Sequence, residues 1–118
     1  MNVKIIVSGT FKKAAKKLLK RYSSLKLELL DLEKQLLKNP TMGTPLGKDC
    51  YKIRLAVKSK GKGKSGGVRI ITHLIAKIEM NETGVVKVYM VYIYDKSDFE
   101  NISQKDISKM INELKENQ

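Results

Sequence analysis

The chain has 118 residues, 42% of them hydrophobic, and carries 24 Lys plus Arg against 12 Asp plus Glu, for a formal net charge of +12. This length predicts one domain, residues 1–118, with a core large enough to need no disulfide. So large a positive charge predicts a polyanionic partner. The single cysteine, Cys50, excludes an internal disulfide and a cysteine-rich metal site.

The apolar segments are too short to cross a bilayer. The longest apolar run is residues 88–94, whereas a membrane-spanning helix needs about 20 apolar residues. The first strand-like segment, residues 3–7, lacks the length of a signal-peptide core and enters a lysine-rich helix at once. We therefore expect a cytoplasmic protein with no membrane partner.

The N-terminal part of the chain predicts a strand followed by an amphipathic helix. Residues 3–7 are mostly β-branched, which favours a strand. From Phe11 to Tyr22, apolar residues recur at helical spacing, and basic residues occupy the remaining positions. Ser8 or Thr10 is the expected cap of this helix.

A second helix is predicted after residues 23–24. Leucines recur at helical spacing from Leu25 to Leu36, and Asn39 precedes Pro40, which disfavours helical geometry in the residue before it. Because so few residues join the two helices, we expect an antiparallel helical hairpin.

The middle of the chain predicts a loop over residues 41–48 and then three strands, at 51–55, 68–78 and 85–94. The third of these strands is apolar on both faces, which indicates a central position in a sheet. Residues 81–84 (Asn-Glu-Thr-Gly) predict a tight turn. Short turns between successive strands favour an antiparallel meander.

The last element is a helix with clear start signals. Ser103 and Asp106 have the spacing of a capping box, and Ile102 can pack onto Ile107. The predicted fold is therefore α+β in the order β-α-α-β-β-β-α. It consists of an antiparallel sheet with an N-terminal helical hairpin and a C-terminal helix.

The positive charge is concentrated in two segments. Residues 1–27 contain eight basic residues and no acidic one, and residues 52–69 contain seven and again none. The second segment includes a glycine-spaced lysine loop, which suits phosphate contacts because both backbone N–H groups and ammonium groups can reach an anion. A lysine-rich helix face is equally typical of a solvated surface. The residues that we expect to contact RNA are Lys58, Lys60, Lys62 and Lys64 of the loop and Lys12, Lys16 and Lys20 of the first helix.

The loop is not a nucleotide-binding P-loop, although Gly63-Lys64-Ser65 matches the end of that motif. The motif also requires a glycine at position 58, where this chain has Lys58, and a helix rather than a strand after the serine. His73 is the only histidine, and we expect it to be a core or edge residue rather than a catalyst. The chain also lacks a Cys/His metal cluster, so we expect neither a metal nor a small-molecule cofactor.

A convergence of cations is the remaining candidate for chemistry. On an antiparallel sheet, Lys52 and Arg54 share one face, Arg69 begins the neighbouring strand, and Lys96 follows Tyr94 at the end of the next strand. These side chains can surround one phosphate and stabilise charge in a transition state. A lysine crowded by other cations also has a lowered pKa, which suits it to proton transfer.

The chain resembles the RelE/ParE superfamily of toxins from prokaryotic type II toxin–antitoxin modules, closest to the HigB-like RelE branch. The resemblance extends over nearly the whole chain. Its most specific parts are the Lys-Ile-Arg strand within residues 49–55, the lysine-rich hairpin ending in Gly-Gly-Val-Arg within residues 60–71, and the Ile-Tyr-Asp-Lys sequence at residues 93–96.

The resemblance implies a metal-independent endoribonuclease, an mRNA interferase that cleaves mRNA on the ribosome. It implies that the RNA 2′-hydroxyl attacks the adjacent phosphate. By position, it implies that Lys52 and Arg54 form the family's basic strand pair, that Arg69 binds phosphate, that Lys96 assists charge stabilisation or the leaving group, and that Tyr94 stacks on or orients a base. It also implies a cognate antitoxin protein, often acidic and partly disordered.

Two other functions are compatible with the sequence. A ParE-like toxin would share the fold and act on DNA gyrase, although the presence of Lys52, Arg54 and Arg69 argues against that branch. A non-catalytic RNA-binding or ribosome-binding protein would use the same charges for affinity alone.

Overall fold

The computed structural model of the chain describes residues 2–61, 66–78, 84–98 and 102–116. Most of the turn predicted at 81–84 and two of the loop lysines, Lys62 and Lys64, lie outside these ranges. No helix in the described ranges is long and apolar enough to cross a membrane. The elements in chain order are β1 (Asn2–Val7), α1 (Gly9–Arg21), α2 (Leu25–Lys38), β2 (Thr44–Gly47), β3 (Cys50–Leu55), β4 (Val68–Ile78), β5 (Gly84–Asp95) and α3 (Gln104–Glu116).

Helix α1 begins after Ser8, as its capping signal predicts. The Ser8 hydroxyl accepts a hydrogen bond from the Phe11 N–H (3.0 Å) and donates one to the Val91 carbonyl (3.0 Å). The cap therefore also attaches the start of α1 to β5. Phe11, Ala15 and Leu18 form the buried stripe of the helix.

Helix α2 follows α1 after three residues and packs on the same core. Leu25, Leu32 and Leu36 are buried, and their spacing is the one that the sequence predicts for the inward stripe. The helix ends at Asn39, whose N–H donates to the Gln35 carbonyl.

The sheet has five strands in the order β1-β5-β4-β3-β2. Strand β4 is antiparallel to both β3 and β5, as the predicted meander requires. Strand β1, however, is parallel to β5. The sheet is therefore mixed, and the prediction of a wholly antiparallel sheet is wrong. Turn lengths determine the direction only of strands that follow one another closely, and β1 pairs with the last strand of the chain.

Strand β2 lies within the segment predicted to be a loop. It is an edge strand that contains Pro45, and an edge position tolerates proline because one side of the strand makes no ladder hydrogen bonds. Lys48 and Asp49 join it to β3 with φ values of 53° and 60°. Two positive φ values are typical of a tight hairpin turn, but Lys-Asp is not a usual sequence for one. The sequence therefore predicts neither this turn nor the strand before it.

The sheet separates two apolar layers. On one face, Ile53, Ile70 and Val88 pack with α1 and α2. On the other face, Ile71 and Tyr89 pack with residues of α3, and a smaller cluster joins Cys50 to Ile107 and Ile111 of that helix.

A bulge in β5 alters which side chains reach the α3 face. Ile71 pairs with Tyr92, whereas the next residue, Thr72, pairs with Met90, so Val91 is an extra residue in the strand. Both Val91 and Tyr92 pack with the residues of the α3 face. The bulge therefore interrupts the strict alternation of faces just before the end of β5.

Helix α3 has the predicted start. The Ser103 hydroxyl accepts a hydrogen bond from the Asp106 N–H (3.1 Å) and donates one to the Asp106 carboxylate (2.8 Å). Ile102 packs against the cluster that contains Ile107, as expected for a hydrophobic staple.

Gly67 lies where β3, β4 and β5 converge, and it has no room for a side chain. A Cβ atom at this position would lie 2.0 Å from the Leu55 carbonyl oxygen. The Gly67 carbonyl also accepts the Lys96 N–H (3.1 Å). We expect Gly67→Ala to lower the free energy of unfolding by roughly 2–4 kcal/mol, because the clash is with backbone that cannot rotate away.

The control is Gly9→Ala, in the first turn of α1, where nothing lies within 4 Å of an added Cβ atom. This variant should be as stable as the parent protein or slightly more stable. Urea unfolding followed by circular dichroism measures both, and equal losses in the two variants would contradict the prediction.

Candidate functional site

The sheet places two of the predicted cations and Tyr94 side by side on neighbouring strands. Arg54 of β3 pairs with Arg69 of β4, and Arg69 pairs with Tyr94 of β5. Lys52 lies two residues before Arg54 and therefore on the same face. This is the face that α3 covers in part, because the neighbouring Ile71 packs with residues of that helix.

Lys96 completes the group. Its N–H donates to the Gly67 carbonyl, which holds the residue after β5 against the start of β4. Burial lowers the pKa of Lys52, and the charges of Arg54, Arg69 and Lys96 lower it further. We call Lys52, Arg54, Arg69 and Lys96 the cationic sheet end.

The members of the cationic sheet end differ in exposure. Arg54 is exposed, Lys52 and Lys96 are half-buried, and Arg69 is only 4% exposed. Burial lowers the pKa of Arg69, and the charge of Arg54 acts in the same direction. A guanidinium remains charged even so, so Arg69 supplies a fixed positive charge beside the more accessible Arg54.

Tyr94 is in the predicted place but is buried, with 2% of its surface exposed. Burial raises its pKa, which the nearby Arg69 charge partly opposes. Tyr92 packs beside it with ring centroids 6.2 Å apart, and Tyr92 is the more exposed of the two rings. Tyr92 therefore presents the more accessible ring face of the two.

A buried carboxylate supports this end of the sheet. Asp95 accepts hydrogen bonds from the Tyr22 hydroxyl, the Lys60 ammonium and the Ser97 backbone and hydroxyl, and Arg21 lies 3.3 Å away. We call these five residues the Asp95 cluster. It joins the end of α1, the loop after β3 and the turn after β5.

The Asp95 cluster keeps its carboxylate ionised. Burial alone would raise the pKa of Asp95, but hydrogen bonds from Lys60, Tyr22 and Ser97 outweigh that effect and hold the pKa well below its usual range. The structure shows an ion pair between Asp95 and Lys60, a lysine whose side chain is 9% exposed.

The two loop lysines in the described ranges, Lys58 and Lys60, have different surroundings. Lys58 is exposed, and its backbone N–H donates to Glu28 (2.9 Å). Lys60 differs, because its ammonium already pairs with Asp95 and also lies near the Gly67 carbonyl. Lys60 therefore fixes the loop to the sheet, and its charge is not presented to solvent.

Helix α1 and the end of β5 enclose a cleft of about 370 Å³. Lys12, Lys16 and Lys20, the lysines chosen from the sequence, are exposed but do not line it. The basic residues that do line it are Lys13, Lys17 and Arg21, and Tyr92 and Tyr94 line it as well. We call this the α1 cleft.

His73 pairs with Cys50 in the α3-covered part of the sheet, two residues along β4 from Ile71, which is the strand partner of Lys52. It is buried, and its Nδ1 is 3.4 Å from the Cys50 sulfur. Burial raises the pKa of the Cys50 thiol to about 11, so the thiol is protonated at neutral pH. Both residues are core residues, and for His73 this is one of the two positions that the sequence predicts. In the described part of the chain, no three His, Cys, Asp or Glu side chains come together as a metal site would require.

Compared with known proteins, the chain matches no protein-family model, and no curated protein or solved structure is significantly similar to it. A fold by itself does not specify a function. The function must therefore be inferred from the chemistry of the site.

Asp95 should make the stability of the protein depend on pH in the acid range. Its folded-state pKa lies below the unfolded value of about 4. The stabilisation is therefore present above about pH 4 and is lost as the pH falls toward the folded-state pKa. We expect Asp95→Asn to lower the free energy of unfolding at pH 7 by about 3 kcal/mol, because Lys60 is left buried without its partner.

Urea unfolding of the parent and the variant from pH 7 to pH 2 measures this difference, which should shrink as the pH falls. The matched control is Asp98→Asn, because the Asp98 side chain is half-exposed and contacts Arg21 only at 3.7 Å. The control should lose less than about 1 kcal/mol. A pH-independent difference for Asp95→Asn would contradict the ionic role.

Proposed function

We propose that this protein is a RelE-like toxin of a type II toxin–antitoxin module and that it cleaves mRNA on the ribosome without a metal. The observation that carries the proposal is the cationic sheet end, in which four basic side chains meet at one face of the sheet. The α+β architecture and the motif resemblance support the same family.

The cationic sheet end has the groups that cleavage by an internal nucleophile needs. The RNA 2′-hydroxyl attacks the adjacent phosphorus, and its proton passes to a base. The bond from phosphorus to the 5′-oxygen then breaks, and that oxygen takes up a proton. The products are a 2′,3′-cyclic phosphate and a 5′-hydroxyl.

Each residue has a role in this scheme. Lys52 transfers the proton, since its lowered pKa makes the neutral amine more accessible at physiological pH. Arg54 and Arg69 stabilise the negative charge that develops on the phosphate oxygens. Lys96 assists the leaving 5′-oxygen, and Tyr94, which pairs with Arg69 across the strands, orients the site.

The same charges favour the proposed partners. A formal net charge of +12 attracts mRNA and ribosomal RNA by releasing counterions from phosphates. It also favours an acidic antitoxin, because a polyanionic chain laid on this surface relieves the repulsion among its cations.

The test is primer extension on a defined mRNA in a translating extract. Wild type should produce cuts at in-frame codon positions. Lys52→Gln and the double variant Arg69→Ala, Lys96→Ala should reduce the cleavage rate by roughly 10²–10³-fold, as expected when a transition-state contact is lost. Circular dichroism of each variant separates loss of activity from loss of fold, which matters for the buried Arg69.

Lys87→Gln is the matched control. Lys87 pairs with Ile75 on the same sheet face but lies toward the opposite end of β5, so the variant loses one charge without touching the site. It should cleave like wild type. Intact mRNA with wild type despite tight RNA binding would favour a non-catalytic RNA-binding protein, and DNA damage on expression would favour a gyrase-directed toxin.

A further inference from the structure

The α1 cleft has a basic wall that the catalytic proposal does not use. Lys13, Lys17 and Arg21 are spaced four residues apart and so follow one face of α1. The cleft volume of about 370 Å³ is within the range typical of small-ligand sites, roughly 300–1,000 Å³.

The two lysines of this wall differ from the arginine in their partners. Arg21 lies 3.3 Å from Asp95 and 3.7 Å from Asp98. Across the described ranges, the salt bridges are those of Arg21 and Lys60 with these two acids. Lys13 and Lys17 therefore have no carboxylate partner within those ranges, and their charges remain available to an anion.

Tyr92 and Tyr94 also line the cleft, beyond the last β1–β5 pair at Met90, and their side chains pack with residues of the α3 face. Tyr92 is half-buried, and the buried Tyr94 packs against it in a nearly parallel arrangement, at 25°. A base can stack on a tyrosine whatever its identity, and such stacking is a common source of affinity for single-stranded nucleic acid.

The cleft adjoins the cationic sheet end at Tyr94, which lines the cleft and is also the strand partner of Arg69. This shared residue places the two sites side by side.

We propose that the α1 cleft is a second RNA subsite, which holds a nucleotide next to the one that carries the scissile phosphate. Tyr92 stacks on its base, and Lys13 and Lys17 bind its phosphate. This assignment rests on the proposed function and extends it by naming single-stranded RNA, at least two nucleotides long, as the substrate recognised.

The test measures binding of a labelled single-stranded RNA with one 2′-deoxy nucleotide at the cleavage position, which removes the attacking hydroxyl. Fluorescence anisotropy at several salt concentrations compares Lys13→Gln/Lys17→Gln with Lys34→Gln/Lys38→Gln. Each double variant removes two exposed lysines that lie four residues apart on one helix, α1 in the first and α2 in the second. The first should bind roughly tenfold more weakly and reduce the salt slope by about 1, and the second should change affinity by less than about threefold.

Tyr92 provides an independent measurement. Tyr92→Phe keeps the ring and should bind almost like wild type, whereas Tyr92→Leu keeps an apolar side chain without stacking and should bind roughly tenfold more weakly. Equal binding by Tyr92→Leu and Tyr92→Phe would overturn the role of the ring.

The outcomes separate the subsite from the catalytic proposal. Equal losses in the two lysine pairs would indicate diffuse attraction and would overturn the subsite. A loss confined to Lys13→Gln/Lys17→Gln would support it, even if wild type failed to cleave the matching all-ribose mRNA in a translating extract. That failure would overturn the endonuclease alone.

Discussion

The carboxylate of Asp95 is buried at the end of β5 and connects three segments that are distant in the sequence. It receives hydrogen bonds from Tyr22, Lys60 and Ser97, so the end of α1, the loop after β3 and the turn after β5 meet at one point. A buried carboxylate is tolerated only when several donors satisfy it. The positions of Tyr94 and Lys96, its neighbours in the chain, and of the α1 cleft all depend on this arrangement.

The cationic sheet end differs from the Asp95 cluster because all its charges have the same sign. Four basic side chains lie within reach of one another, and their mutual repulsion and burial lower the pKa of Lys52. The register of the sheet imposes this proximity, since Arg54 and Arg69 are directly opposed on neighbouring strands, and like charges in that position are destabilising. Such an arrangement is compatible with a stable fold because the apolar cores on both faces of the sheet hold the strands together. A bound phosphate would relieve the repulsion, which is why the site suits a polyanion.

Local patterns in the amino-acid sequence were sufficient to predict most of the secondary structure. Helical periodicity, caps and proline predicted the three helices of the described ranges, and strand-like patterns predicted four of the five strands described there. The missed strand, β2, contains a proline. Gly47 at its end and the Lys48-Asp49 turn after it have positive φ values, so the local preferences of this segment do not indicate a strand. The parallel pairing of β1 was missed for a different reason. A strand's direction relative to a distant partner depends on how the intervening elements pack, which no local pattern encodes.

The amino-acid sequence by itself determined the chemistry of the site: a large excess of positive charge, its concentration in two segments, and the alternation that puts Lys52 and Arg54 on one strand face. The strand order places Arg69 beside Arg54 and near Lys52, as predicted. The sequence could not determine which lysines are available, because that depends on contacts between distant segments. Lys60 pairs with Asp95, and Lys13 and Lys17, not Lys12 and Lys16, line the α1 cleft. One residue along a helix rotates a side chain by about 100°, so only the packing of α1 against β5 decided which charges line the cleft.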